Sequence, residues 1–345
     1  MNDATKDGRI SWGRHLVGLV ATLGCLYLLS RQVKLQDVLD AVRHFHWPYL
    51  VLGISSLAAG YVLRIWRWRM LLRAAGARAS FRECTAPFLG SIALNNVLPL
   101  RLGDVLRALV FPTAMGLTRT LATSSLVMER LVDLMTLLAS LTIGLFAIRT
   151  VVVPEGLQQT AVSLAIVGGL ALVLGLGLSA RLGTLFNSMA NRRAHPTDKL
   201  SRLYRTVGEL LHGFAAMARP GILAQLVLIS MAIWAFESGL FYFILVGLSI
   251  PATPTVALLV MSIATLATLA PSSPGYVGPF HLAAFAAVSL VGGSAAQAGS
   301  YAVIVHLALW LPSTIAGAIA LSLRPELFRS ARQKELTAKN QHEQV

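Results

Sequence analysis

Apolar positions in this chain gather into long runs rather than alternating with polar ones. Residues 15–31, 47–65, 121–148, 159–180, 221–247 and 299–322 are predominantly hydrophobic. Roughly 20 apolar residues suffice for a helix to cross about 30 Å of hydrocarbon, whereas barrel strands would be shorter and alternate. The pattern therefore predicts an all-α polytopic membrane protein. Two further apolar segments, 84–112 and 255–292, are interrupted by proline, glycine and polar residues, and read as broken helices.

Composition agrees. Of 345 residues, 55% are hydrophobic and 13% charged, against roughly 25% charged in soluble domains. The net charge of +14 could suggest nucleic acid, but in a membrane chain Lys and Arg mark cytoplasmic loops. No nucleic-acid partner is expected. Arg64, Arg67, Arg69, Arg73, Arg78 and Arg82 meet the lone acid Glu83, and the loop 181–219 carries Arg181, Arg192, Arg193, Lys199, Arg202 and Arg205. Both belong inside. The two full spans between them use up the remaining crossings, so 84–112 must enter and leave on one side, as a re-entrant hairpin. Residues 31–46, with Lys34, Asp37, Asp40 and Arg43, suit the outer face. The tail 324–345 reads as cytoplasmic, as does the N-terminus with Lys6, Arg9 and Arg14 before an uncleaved first span. Cys25 and Cys84 imply no disulfide framework and no metal site.

The two broken segments can be laid over each other. "SIALNNVLPLRLGDV" starts at Ser91 and "SIATLATLAPSSPGYV" at Ser262, and Pro99, Gly103 and Val105 precede Pro271, Gly275 and Val277 by 172 positions. Paired interruptions of this kind are what an internal repeat leaves behind. The charge topology puts the first hairpin's entrance inside and the second's outside, so the expected architecture is a single membrane domain over 1–345. It is built as an inverted-repeat helical bundle with repeat A at about 47–148 and repeat B at about 219–323. Simple kinks in two ordinary helices are the alternative; a cavity lined by the breaks is favoured, because irregular backbone at membrane depth needs protein or water around it.

The polar residues at the breaks are the candidate headgroup and cavity site: Asn95, Asn96, Arg101, Asp104 and Arg107 in the first, Ser272, Ser273 and His281 in the second. Pro99, Gly103, Pro271, Pro274, Gly275 and Gly278 break the helices. Residues 101, 104 and 107 share a helical face, so Asp104 could hold two guanidiniums that keep donors for an anion; it could equally be a helix N-cap. His281 is either a hydrogen-bonded structural residue or a proton carrier. In "MERLVD", Glu129, Arg130 and Asp133 should face the bundle and pair, because a charge at a span's centre costs roughly 2.5 to 3.5 kcal/mol. They form an ion-pair lock between helices, a gate, or an anchor for the arginines of the first hairpin. Glu237 lacks a sequence partner and could meet an arginine across the repeat axis. Arg64, Trp66, Arg67, Trp68 and Arg69 are expected at the membrane interface, as aromatic anchors and snorkelling arginines, with headgroup binding the minority reading. No signature of catalytic residues, cofactor or metal appears.

The motifs "RIWRWRMLL", "NNVLPLRLGDVLRA", "MERLVDL" and "PSSPGYVGPFH" together resemble the lysylphosphatidylglycerol synthase transmembrane-region family, also described as flippase-like, over about Leu16 to Leu323. The resemblance implies a multi-pass bacterial inner-membrane protein linked to translocation of lipids or handling of lipid-linked groups. Asn96, Pro99, Arg101, Gly103, Asp104 and Arg107 fall on its first motif, with Asp104 where glutamate is usual. Glu129, Arg130 and Asp133 fall on its charged span. Pro274, Gly275 and Gly278 match its second hairpin, while Tyr276 replaces a glycine and His281 a glutamate. The soluble aminoacyl-transfer domain of lipid-modifying members has no counterpart in these residues, so synthesis of lysyl-lipid by this chain alone is not expected. The leading expectation is a lipid translocase for an anionic headgroup. The alternatives are an intramembrane lipid or glycan transferase, with Asp104 or Glu129 as general base, and a non-catalytic partner of a lipid- or glycan-modifying enzyme. Membrane lipids are the expected ligands, and a homodimer stays open.

Overall fold

The computed structural model describes residues 20–33, 35–147, 155–192 and 198–328. The N-terminal basic residues, Lys34 and most of the tail lie outside them. The described chain is helical throughout: α1 (20–32), α2 (Leu35–Arg43), α3 (Trp47–Ala74), α4 (Phe81–Val97), α5 (Leu102–Leu109), α6 (Phe111–Ala114), α7 (Arg119–Ala147), α8 (Glu155–Asn191), α9 (Lys199–Met217), α10 (Pro220–Gly247), α11 (Pro254–Ala267), α12 (Pro279–Leu290) and α13 (Ala295–Ser322). Five of these, α3, α7, α8, α10 and α13, are long and apolar enough to cross a membrane. The protein is an all-α polytopic membrane protein.

Local chemistry sets the helix starts. Ser80 and Glu83 form a reciprocal capping box at α4, Ser294 and Gln297 another at α13, and the Thr253 hydroxyl caps α11. Each satisfies backbone donors that a helix N-terminus otherwise leaves open. Glu83, the single acid among six arginines, is thus a capping residue. Two expectations about loops are corrected. "RIWRWR" does not end a span but continues α3 for another two turns, because nothing after Arg64 breaks the helix before Gly76, which has φ 94°. Residues 181–219 are mostly the C-terminal part of α8 and the amphipathic α9, which lies along α8 and α7.

The bundle is organised by antiparallel pairs. α3 and α10 cross closely through small residues: Gly53 lies against Leu240, Gly60 against Phe236, and Gly239 against Ser56, whose hydroxyl donates to the Phe236 carbonyl at 2.6 Å. Without a hydrophobic drive between helices in lipid, such close backbone packing is what holds them. α4 packs against α13, where Gly317 meets Leu89 and Ala93, and α7 against α11, where Gly144 meets Leu259. Setting α3, α4, α5 and α7 equivalent to α10, α11, α12 and α13 turns each of these contacts into another observed one. The α4–α13 pair becomes α11–α7, the α4–α5 pair becomes α11–α12, and the α5–α7 pair becomes α12–α13.

The breaks share a backbone signature. After α4, Leu98 is extended and Pro99 leads into Leu100 and Arg101, with φ of 59° and 55°. After α11, residues 268–273 lead to Pro274, then Gly275 and Tyr276 at 75° and 60°. Pro99 therefore corresponds to Pro274 and Gly103 to Gly278, 175 positions apart, rather than to Pro271 and Gly275 as sequence comparison suggests. The difference arises because six residues, 268–273, stand in the second connection where the first has Leu98 alone. α5 then folds back along α4. A side chain at Gly103 would collide with the Ser91 carbonyl and Asn95, and beyond it Phe111 clusters with Ala86.

Candidate functional site

The two breaks meet. Trp310 of α13 donates its indole N–H to the Asn96 carbonyl at 3.2 Å, and the Asn96 amide donates to Ser313 Oγ at 3.1 Å and Thr314 Oγ1 at 2.9 Å. Arg101 donates to the Thr268 carbonyl at 3.2 Å, and its guanidinium lies 5.4 Å from the centre of the Tyr276 ring. α1 closes the second break from outside. The Ser273 N–H donates to the Thr22 hydroxyl at 3.0 Å, which donates in turn to the Val277 carbonyl at 2.9 Å.

Beside this junction lies a cavity of about 530 Å³ between α3, α7, α10, α13 and the breaks. Arg64, Asn95, Asn96, Arg101, Asp104, Arg130, Asp133 and Glu237 supply its polar wall, and Tyr61, Trp234, Tyr276, Phe280 and Trp310 its aromatic one. A second cavity of about 510 Å³, lined by residues 98–101 and 268–276, adjoins it and shares Arg101, Thr268 and Tyr276. Ser272, Ser273, Pro99, Pro271 and Pro274 line this second space. Val127 and Leu131 of α7 and Leu269 line the first cavity while remaining exposed. An amphipathic cavity with an exposed apolar rim suits a ligand with a polar head and hydrocarbon tails.

The charged groups beneath the cavity are paired with one exception. Arg130 binds Asp104 with both carboxylate oxygens at 2.7 and 2.8 Å. Arg67 binds Asp133 at 2.6 and 2.9 Å, donates to Ser230 Oγ at 2.8 Å, and lies 3.4 Å from Glu129. Arg107 reaches Glu129 at 3.3 Å, with its guanidinium over the rings of Trp68 and Phe88. Arg64 pairs with Glu237, lies 3.8 Å from Asp133, and stacks over Trp234. Glu237 thus meets an arginine of α3, the helix packed against its own. Among the described residues, Arg101 is the guanidinium lining the cavity with no carboxylate at ion-pair distance.

Several sequence expectations are redistributed. Asp104 holds neither Arg101 nor Arg107, because Arg130 and the Asn95 amide occupy its oxygens. It is not the cap either. Asn95 caps α5 from the neighbouring helix, its Oδ1 accepting the Asp104 N–H at 3.0 Å, which satisfies one of that helix's open donors. Arg107 and His281 lie outside the cavity, Arg107 buried under Phe88 and Trp68 and His281 tilted against His306 with ring centres 4.4 Å apart. Arg64, Arg67 and Trp68 are not interface anchors. Arg67 and Trp68 are 0% and 1% exposed, held inward by Asp133 and by the Ser125 hydroxyl at 3.1 Å. Trp66 is exposed, and Arg69 donates to the Ala79 carbonyl, so these two remain near the surface. Sequence reading missed Tyr61, Thr268, His306, Trp310 and Ser313. A signal existed for three of them, since 306, 310 and 313 recur at helical spacing in an apolar span.

Residues 15–317 match the family described as lysylphosphatidylglycerol synthase TM region. This chain belongs to the lysylphosphatidylglycerol synthase TM-region family. Both breaks, the charged face of α7 and the whole cavity wall fall within the matched residues. The family member is also similar to a curated protein named glycosyltransferase AglD, from Haloferax volcanii. The two are 25% identical over 358 residues, covering 95% of this chain and 57% of that protein. The chain therefore spans little more than half the length of that relative.

Proposed function

We propose that this protein is a lipid translocase that holds an anionic or lipid-linked headgroup between the tips of its two broken segments. The carrying observation is Arg101. It stands where the tips meet, lines both cavities, and is met by neutral groups, the Thr268 carbonyl and hydroxyl at 3.2 and 3.5 Å and the Tyr276 side chain. Arg is suited to a phosphate in a partly dry site because its planar fork stays charged and binds bidentately. The antiparallel crossing of α3 and α10, first helices of equivalent halves, supports an inverted repeat, the architecture in which discontinuous helices meet near the midplane. On this reading the hairpins are re-entrant, the protein lies in a bacterial inner membrane with both termini cytoplasmic, and tails enter past Val127, Leu131 and Leu269.

Proteoliposomes containing a fluorescent anionic lipid and an impermeant quencher test this. The purified protein is expected to raise the quenched fraction above that of empty liposomes, and folded Arg101→Ala to lower it again. If both match empty liposomes across a panel of anionic lipids, the reading fails.

A transferase is the second reading, favoured by the relative named glycosyltransferase. Its expected general bases are poorly placed, however. Asp104 is held by Arg130 and Asn95, and Glu129 does not line the cavity. Mass spectrometry of lipids after incubation separates the two, since transport leaves headgroup masses unchanged. A role as the membrane partner of a modifying enzyme predicts copurification that survives loss of Arg101.

A further inference from the structure

The charged cluster under the cavity has an odd balance. Five guanidiniums, of Arg64, Arg67, Arg101, Arg107 and Arg130, face four carboxylates, of Asp104, Glu129, Asp133 and Glu237. Every carboxylate is engaged by an arginine other than Arg101. The surplus is therefore one positive charge, and geometry localises it at the mouth shared by the two cavities.

We infer that this site, taken as the headgroup site of the proposed translocase, selects headgroups with one net negative charge, such as phosphodiesters, over phosphomonoesters and pyrophosphates. A phosphodiester neutralises the surplus and can replace the weak Thr268 contacts with charge-assisted hydrogen bonds, while the Tyr276 ring still supports the guanidinium from its face. A second negative charge finds no free cation. Asp104 lines the same cavity, and its like charge in a poorly solvated space opposes a dianion. The arrangement thus discriminates by an uncompensated repulsion as much as by an attraction. A zwitterionic headgroup leaves the surplus unmatched, since its own cation competes with Arg101.

The same logic makes the preference reversible by design. Asp104→Asn keeps the shape of the side chain and an acceptor for Arg130, yet raises the surplus to two. Glu237→Gln does so from the opposite wall.

The test is competitive lipid binding to the full-length protein in detergent micelles at pH 8, read by native mass spectrometry. The probes are phosphatidylmethanol, phosphatidic acid and phosphatidylcholine with identical acyl chains. Phosphatidylmethanol carries one charge, whereas a monoester carries about −1.5 to −2 already at pH 7. Phosphatidylmethanol is expected to bind about tenfold or more tightly than the other two, the lower bound set by one like charge held roughly 12 Å away at an effective dielectric near 20. Asp104→Asn, or Glu237→Gln should Asp104→Asn fail to fold, is expected to move the preference towards phosphatidic acid. If the wild-type protein binds phosphatidic acid as well as phosphatidylmethanol, and Arg101→Gln weakens both, the charge selectivity is overturned while the headgroup site stands. If folded Arg101→Gln binds phosphatidylmethanol as tightly as the wild type, the headgroup site itself falls, and the selectivity with it.

Discussion

Replacing Arg67 by methionine separates a buried organising cation from an interface anchor. Its side chain is 0% exposed and serves three partners: Asp133 through two hydrogen bonds, Ser230 Oγ at 2.8 Å, and Glu129 at 3.4 Å. Methionine retains much of the volume, so the principal loss is electrostatic. Asp133 keeps the Trp234 indole at 3.1 Å and a distant Arg64 at 3.8 Å, but loses its close bidentate cation. Breaking one side of a buried pair costs about 3–5 kcal/mol, because the remaining charge stays desolvated. An exposed, snorkelling arginine would cost about 0–1 kcal/mol. Equilibrium unfolding in mixed micelles, titrated with a denaturing detergent, distinguishes the two ranges. The double variant Arg67→Met, Asp133→Leu removes the orphaned charge and is expected to be more stable than Arg67→Met alone, a strongly non-additive result. A cost below about 1 kcal/mol for Arg67→Met, or simple additivity in the double variant, would refute the buried network as the element that fixes α3 to α7.

Gly103→Ala forces α5 off α4, where the Ser91 carbonyl leaves no room for a Cβ; a loss of about 1–3 kcal/mol is expected by the same unfolding assay, as for other overpacked sites. Thr22→Val leaves the Ser273 N–H and the Val277 carbonyl without their bridge, which should cost about 1–3 kcal/mol and lower transport, while Thr22→Ser retains both. Leu100 is 60% exposed with φ 59°, opposite Gly275 in the equivalent break. Leu100→Gly should therefore be neutral or up to about 1 kcal/mol more stable, and Leu100→Val less stable than the wild type by chemical unfolding.

Hydrophobic run length made the spans legible, because crossing hydrocarbon imposes a length that composition alone reveals. The positions of the breaks were also readable, since Pro99 and Pro274 cannot continue a helix. Their alignment was not. Ser91 and Ser262 are both buried and bonded to their own helices, but the six-residue second connection shifts everything after it. The charged face of α7 was read as inward and paired; Glu129 and Asp133 are buried, and Glu129, Arg130 and Asp133 each have an oppositely charged partner on another helix. The partner of Asp104 was misassigned because sequence proximity favours Arg101 and Arg107 on its own helix, whereas Arg130 arrives from a helix further along the chain. Arg67 and Trp68 were mistaken for interface anchors for a related reason. A basic, aromatic stretch at the end of an apolar run looks alike whether it meets water or a carboxylate from another helix.

The distribution of charge also decides which part of the proposed device can move. α5 is tied to α7 by Arg107 with Glu129 and by Asp104 with Arg130, and α3 is tied to α7 and α10 by Arg67 and Arg64. These pairs are buried or partly buried, and parting one member of a buried pair costs several kcal/mol. Residues 254–290, which form α11, the second break and α12, contain no Asp, Glu, Lys or Arg. This hairpin is joined to the first break and to α1 by neutral or singly charged hydrogen bonds, at Thr268, Val277 and Ser273. A typical neutral bond of this kind contributes only about 0.5–1.5 kcal/mol net. On the proposed reading, a headgroup that takes the Arg101 donors away from Thr268 removes a polar link between the two breaks. The difference in binding between two states is what a ligand needs to shift a conformational equilibrium. On that reading, occupation of the site and loosening of the link between the breaks are coupled through the same guanidinium, with the ion-paired helices as the expected fixed frame.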